Sequence, residues 1–126
     1  MMKTVLALIC CLPVLSFAQA VPTDFPADAQ PLAPEALKAA IAGKSFAAKP
    51  AQGPTLRVEY KANGWAFVET STGFRDTGTW RVEGSTVCAT WQRNPAGSGC
   101  GEARQKGEQL YLRRVTNNEV LALQAE

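Results

Sequence analysis

Residues 56–70 read LRVEYKANGWAFVET, and this stretch decides the fold. Between Leu56 and Tyr60, apolar and charged residues alternate strictly, which is the period of a strand with one buried face. Asn63-Gly64 predicts a tight hairpin turn of type I′, because both central positions of that turn need a positive φ. Residues Trp65 to Thr70, rich in aromatic and β-branched side chains, predict the returning strand, so the stretch predicts an antiparallel pair.

The same pattern of alternation and turn residues extends along the chain on both sides. It predicts strands over residues 44–48, 56–60, 65–70, 77–83, 86–93, 102–105, 109–115 and 120–124. Seven or eight short strands joined by tight turns are typical of an antiparallel barrel or sandwich. Because closure removes exposed strand edges, we expect a mainly β protein, a small antiparallel up-and-down barrel, with a β-sandwich as the alternative.

One short helix is predicted before the strands, over residues 34–43. Pro34 suits the first turn of a helix and Gly43 suits its end. Leu37 and Ile41 fall on one face, so we expect this helix to cover one mouth of the barrel. The residues before it, 21–33, are rich in proline and predict a linker or coil. Residues 34–126 are predicted to form a single β-barrel domain.

Residues 1–20 have the pattern of a cleaved signal peptide. Lys3 precedes an apolar run, and Ala18-Gln19-Ala20 offers small residues at the cleavage site. The run is too short to cross a bilayer, and neither Cys10 nor Cys11 follows the small residue that normally precedes a lipid-modified cysteine. We expect a periplasmic or secreted protein that does not insert into a membrane after cleavage.

Two cysteines follow the predicted signal peptide, Cys88 and Cys100. In an oxidising compartment an isolated pair is most simply a disulfide. A redox pair and a metal site are the alternatives. The spacing is not CxxC and the chain has no histidine, so we favour the disulfide and predict no metal site.

Charge and composition argue against several classes of function. The net charge is +2 and the basic residues are scattered, whereas nucleic-acid binding needs clustered cations. Without histidine there is no Ser-His or Cys-His pair. Nothing in the spacing of Glu59, Glu69 and Glu83 brings two of them together as an acid and a base. We therefore predict neither an enzyme nor a cofactor.

Aromatic residues on the predicted strands are the candidates for ligand binding: Tyr60, Trp65, Phe67, Trp80, Trp91 and Tyr111. Large rings also fill the core of a small barrel, and we expect this of Trp80. Trp65 lies beside a turn, so we expect it at a rim. An eight-stranded barrel is either just filled by its side chains or holds one small ligand.

Arginines near the last strands are the candidates for a protein interface: Arg93, Arg104, Arg113 and Arg114. They form either a solvated face or a patch that binds an acidic partner. The loop 94–99, bridged by the predicted disulfide, is a further candidate, because a braced loop loses little freedom on binding. Bracing of such a loop also serves stability alone.

The segment GTWRVEGSTVCATW at residues 78–91, followed by Cys100 and Gly107, carries a resemblance. Together with Ala42-Gly43-Lys44, it resembles small uncharacterised secreted bacterial β-barrel proteins of lipocalin-like type, over about residues 34–115. The resemblance implies a barrel with one disulfide and transfers no active site.

These observations together predict a non-enzymatic periplasmic or secreted binding or interaction domain, present as a monomer. Its expected partner is a small apolar ligand or a protein. The alternative is an inhibitor of a secreted or periplasmic hydrolase, either a protease or a lysozyme, with the bridged loop or the proline-rich arm entering a cleft.

Overall fold

The computed structural model describes residues 20–126. Except for Ala20, the predicted signal peptide lies outside them. The helix α1 spans Pro34–Ile41. The strands are β1 (Gln30–Pro31), β2 (Lys44–Ala48), β3 (Leu56–Tyr60), β4 (Trp65–Thr70), β5 (Arg75–Glu83), β6 (Thr86–Trp91), β7 (Gly99–Lys106), β8 (Gln109–Arg113) and β9 (Val120–Ala125).

Strands β2 to β9 form a closed barrel. Each pairs antiparallel with the next along the chain, and β9 returns to pair with β2 at Phe46↔Ala125. β7 pairs with β6 through its first half and with β8 through its second half. The up-and-down barrel predicted from the sequence is confirmed, and the sandwich is not formed.

The helix covers one end of the barrel. Leu37 and Ile41 are fully buried and belong to the core, together with Tyr60 and Trp80. The chain leaves α1 through Gly43, whose N–H donates to the Tyr60 carbonyl at 2.7 Å. This bond ties the helix to the end of β3, so the barrel has a closed end and an opposite, loop-bearing end.

The turn between β3 and β4 differs from the predicted type I′ turn. Gly64 has a φ of 94°, but Asn63 does not have a positive φ. The Gly64 N–H donates to the Lys61 carbonyl at 3.0 Å and the Lys61 N–H donates to the Trp65 carbonyl at 2.8 Å. The hairpin therefore has a three-residue loop that ends in a glycine with a left-handed conformation. This turn needs a positive φ at Gly64 only, whereas a type I′ turn needs it at two residues.

The proline-rich segment before the helix is an ordered arm that follows the outside of the barrel. The Val120 N–H donates to the Pro22 carbonyl at 2.8 Å. Further along, β1 pairs with Arg104 and Gln105 of β7, a short strand that the sequence pattern does not predict. Ala29 is buried. The arm thus covers the edge of β7 beyond the point where β6 leaves it.

The predicted disulfide is present. Cys88 and Cys100 lie directly opposite each other on β6 and β7, and their sulfurs are bonded. Cys88 is buried and Cys100 is exposed. Val87 and Ala89 line the cavity, so Cys88 between them faces outward and the bridge lies on the outer face of the barrel. It connects two neighbouring strands at the base of the loop 92–98. No helix among residues 20–126 is both long and apolar enough to span a bilayer.

The first prediction concerns the stability that this disulfide supplies. The two cysteines are 12 residues apart, and closing a loop of that length restricts the unfolded chain by about 3 kcal/mol. We expect the double variant C88A/C100A to lose about that free energy of unfolding in a guanidinium titration. Wild-type protein reduced with dithiothreitol is the matched control and should lose a similar amount. Equal stability of the oxidised and reduced proteins would contradict this account.

Candidate ligand cavity

A cavity of about 290 Å³ opens at the loop-bearing end of the barrel. Four connections surround its mouth, at residues 49–55, 71–74, 92–98 and 114–119. Because the helix covers the other end, the barrel has the form of a cup. Ligand cavities in proteins begin at roughly 300 Å³, so this one suits a small molecule.

The wall of the cavity is mainly apolar. Every second residue of a strand faces the interior, and most of these inward positions carry apolar side chains. Its apolar strand residues are Ala48, Leu56, Val58, Val68, Val87, Ala89, Trp91, Leu112, Leu121 and Leu123. The alternation predicted for Leu56, Val58 and Tyr60 is confirmed. Small residues such as Ala48 and Ala89 leave the space that larger side chains would occupy.

The six aromatic candidates are divided between the cavity, the core and the outer surface. Tyr60 and Trp91 line the cavity, and Trp80 is buried in the core, as expected. The remaining three do not line it. Trp65 and Phe67 project from the outer face of β4 and are about two-fifths exposed, at 44% and 39%, and the half-buried Tyr111 lies on β8. Trp65 lies next to the β3–β4 turn, where we expected it.

Tyr60 is the least exposed of the six aromatic candidates, at 5%. Its ring meets Trp80 edge-on at 5.5 Å between centroids and is tilted against Phe46 at 6.3 Å. Burial raises the pKa of its phenol to about 12, so the hydroxyl keeps its proton at any physiological pH. That hydroxyl makes no hydrogen bond within residues 20–126. It is therefore a neutral donor without a protein partner in that range.

Asp76 holds the loop 92–98 in place at the mouth. Its buried carboxylate accepts hydrogen bonds from three backbone N–H groups: those of Thr77 at 2.8 Å, Arg93 at 3.0 Å and Asn94 at 2.9 Å. Burial by itself raises the pKa of this carboxyl. The bonds from Arg93, Asn94 and Thr77 oppose that effect, and the net result is a lowered pKa. Asp76 therefore remains charged and anchors the loop.

Glu119 performs a similar task on the other side of the mouth. It is 1% exposed, and its Oε2 accepts a hydrogen bond from the Ala51 N–H at 2.7 Å. Its Oε1 has no hydrogen bond, and Arg114 Nη1 lies 3.6 Å from it. The carboxylate thus joins the connections 49–55 and 114–119. Neither Asp76 nor Glu119 was proposed as a site residue from the sequence, because a carboxylate next to the start of a predicted strand gives no signal of its burial.

The four candidate arginines do not form one patch. Arg104 and Arg113 both contact the Phe25 ring, with guanidinium carbons 4.6 and 4.7 Å from the ring centroid, and both form ion pairs with Glu102. This cluster fastens the N-terminal arm. Arg93 lies apart, 5.2 Å from the ring centroid of Phe74, and donates to the Arg75 carbonyl at 2.9 Å.

Arg114 is the candidate whose guanidinium remains most available at the mouth. It lines the cavity, and its side chain is 30% exposed. Within the described part of the chain, its guanidinium makes the single long contact with Glu119 and no hydrogen bond.

The three carboxylates considered for acid and base chemistry do not meet in the cavity. Glu59 and Glu69 line a shallow depression on the outer face of β3 to β5 and pair with Lys61 and Arg75. The hydrogen bond from Lys61 lowers the pKa of Glu59, whereas a general acid needs a raised one. Glu83 lies apart, beside the disulfide.

A group with the composition of a metal site occurs once among residues 20–126. Glu83, Cys88 and Cys100 lie within 4.8 Å of one another, but both sulfurs belong to the disulfide. A cysteine binds a metal as a thiolate. These residues therefore do not offer a metal site while the bridge is intact.

Comparison of the chain with protein-family models, with curated proteins and with solved structures found no match. The resemblance to lipocalin-like secreted proteins remains a prediction.

The second prediction concerns the pH dependence that Asp76 contributes. Its folded pKa is below the ordinary value of 3.8, so its stabilising effect is complete above that value and is lost as the pH falls through the folded pKa. We expect Asp76→Asn to lower the free energy of unfolding by about 2 kcal/mol at pH 7, because hydrogen bonds to a charged group contribute an amount of that order. Urea unfolding between pH 7 and pH 2 measures both effects.

The variant Asp28→Asn is the matched control for Asp76→Asn, because the Asp28 side chain is 83% exposed. It should unfold like the wild type at every pH. If Asp76→Asn retained the full acid-induced loss of stability seen in the wild type, the dependence would come from other groups and this assignment would be wrong.

Proposed function

We propose that this chain is a non-enzymatic binding protein of the periplasm or the extracellular space, which holds a small, mainly apolar ligand inside its barrel. The observation that carries the proposal is the cavity of about 290 Å³, open at one end and lined mainly by apolar side chains. Apolar walls with a few polar groups are typical of ligand sites.

The rigidity of the mouth supports this proposal. Asp76 holds one loop through backbone hydrogen bonds, and Glu119 joins two others. A site that is already formed spends little binding free energy on ordering its loops. The helix closes the far end, so a ligand enters and leaves through the mouth.

The third prediction tests whether the cavity binds the ligand. Ala89 lines the cavity, and its neighbour Thr90 is exposed on the outer face of β6. We expect Ala89→Phe to weaken binding of 1-nonanol at least tenfold in a calorimetric titration, because the ring fills the space. Thr90→Phe adds the same ring outside the barrel and should leave the affinity unchanged. Thermal unfolding confirms that each variant is folded.

Native mass spectrometry of protein purified from its own compartment provides an independent measurement. We expect a retained small molecule in the wild type and none in Ala89→Phe. Failure of the wild type to bind 1-nonanol or other probes of similar size, together with no retained molecule, would refute the proposed function.

Inhibition of a secreted hydrolase is a second candidate function, favoured by the loop 92–98. The disulfide lies at its base, Asp76 holds its backbone, and residues 92–96 are exposed. Addition of the protein at micromolar concentration to lysozymes and secreted proteases tests this role. Loss of their activity, weakened by Asp76→Asn, supports it, and unchanged activity rules it out for those enzymes.

A further inference from the structure

Two of the polar groups that line the mainly apolar cavity lie at opposite ends of it. The Tyr60 hydroxyl belongs to a core residue at the closed end that also lines the cavity, and the Arg114 guanidinium belongs to a residue at the mouth. The first is a neutral donor in a buried residue, and the second is a cation with a partly exposed side chain. A ligand that binds to both groups therefore has a negative charge at the mouth and a neutral hydrogen-bond acceptor at the closed end.

The other charged residues that line the cavity are already engaged. Asp76 accepts its three backbone hydrogen bonds. Arg113 pairs with Glu102 at 3.1 Å and donates to the Thr23 carbonyl at 3.1 Å. Arg114 has only the 3.6 Å contact with Glu119, although a guanidinium carries five N–H donors. Among the described residues, Arg114 is thus the charged group best placed to bind a ligand.

We propose that the cavity takes an amphiphilic monocarboxylate, with its carboxylate on the Arg114 guanidinium at the mouth and a neutral hydrogen-bond acceptor near its far end, on the Tyr60 hydroxyl. This inference rests on the proposed function and specifies its ligand. A volume of about 290 Å³ corresponds to about ten groups the size of a water molecule, at roughly 30 Å³ each. That is the size of a chain of eight to ten carbons.

The charge of the site favours a carboxylate over a phosphate. The planar guanidinium matches a carboxylate with two parallel hydrogen bonds. A single guanidinium beside the buried Glu119 balances at most one negative charge, and a phosphate monoester carries nearly two. A monoanion therefore suits Arg114 better.

The depth of the two groups determines the orientation of the ligand. The Tyr60 end of the cavity is surrounded by Phe46, Trp80 and other apolar side chains. An ionised group placed there would lose its hydration without gaining a cation, which is costly. A carbonyl or hydroxyl oxygen carries no charge and pairs with the phenol, so the charged end of the ligand remains at the mouth.

Calorimetric titration at pH 7 with three probes tests the inference: 1-nonanol, nonanoate and 8-oxononanoate. We expect nonanoate to bind the wild type about tenfold tighter than 1-nonanol, and Arg114→Gln to remove that difference while leaving the affinity for 1-nonanol unchanged. Arg114→Lys keeps the charge but not the planar fork, so it should retain part of the preference. Arg57→Gln removes an arginine from the outer face of β3 and is the matched control.

Tyr60→Phe tests the other end of the ligand, because it removes the hydroxyl and keeps the ring. We expect this variant to weaken the binding of 8-oxononanoate about fivefold and to leave the affinity for nonanoate unchanged. Equal affinities of the wild type for nonanoate and 1-nonanol would overturn the anionic end, and no effect of Tyr60→Phe would overturn the acceptor. In both cases binding of 1-nonanol leaves the proposed function standing. Absence of binding for all three probes, together with no small molecule retained in native mass spectrometry, refutes both proposals together.

Discussion

The pairing of β9 with β2 is the constraint on which the rest of the structure depends. It closes eight antiparallel strands into a ring, and each strand then turns one set of side chains inward. The interior is filled unevenly. Phe46, Tyr60 and Trp80 pack under the helix, whereas small residues such as Ala48 and Ala89 line the other half. The uneven distribution of volume, rather than any loop, produces the cavity.

Buried carboxylates at the mouth complete the arrangement. Asp76 and Glu119 lie far apart in the sequence, and each fastens a loop through backbone N–H groups. The two differ in how fully they are paired. Asp76 accepts hydrogen bonds from three backbone N–H groups. The Oε1 atom of Glu119 accepts none, and the Arg114 guanidinium lies 3.6 Å from it. This incomplete pairing distinguishes Arg114 from Arg104 and Arg113, which form closer ion pairs with Glu102.

Much of the fold was predictable, because alternation and turns are local properties. The eight barrel strands, the helix and the disulfide all follow from residues close together in the sequence. The errors were local as well. The Asn63-Gly64 turn needs a positive φ at one residue only, and β1 was missed because two residues in a proline-rich segment carry no period. The site was less predictable: of six aromatic candidates, Tyr60 and Trp91 line the cavity.

The sequence by itself determined the class of fold, the face of β3 that turns inward and the pairing of Cys88 with Cys100, since all three depend on spacing along the chain. Only the tertiary structure decided which inward side chains meet and which charges find partners. Arg113 and Arg114 are adjacent in the chain, yet one is held by Phe25 and Glu102 and the other lies at the mouth. Arg113 ends β8 and Arg114 begins the connection 114–119, so their surroundings are set by different residues that are distant in sequence.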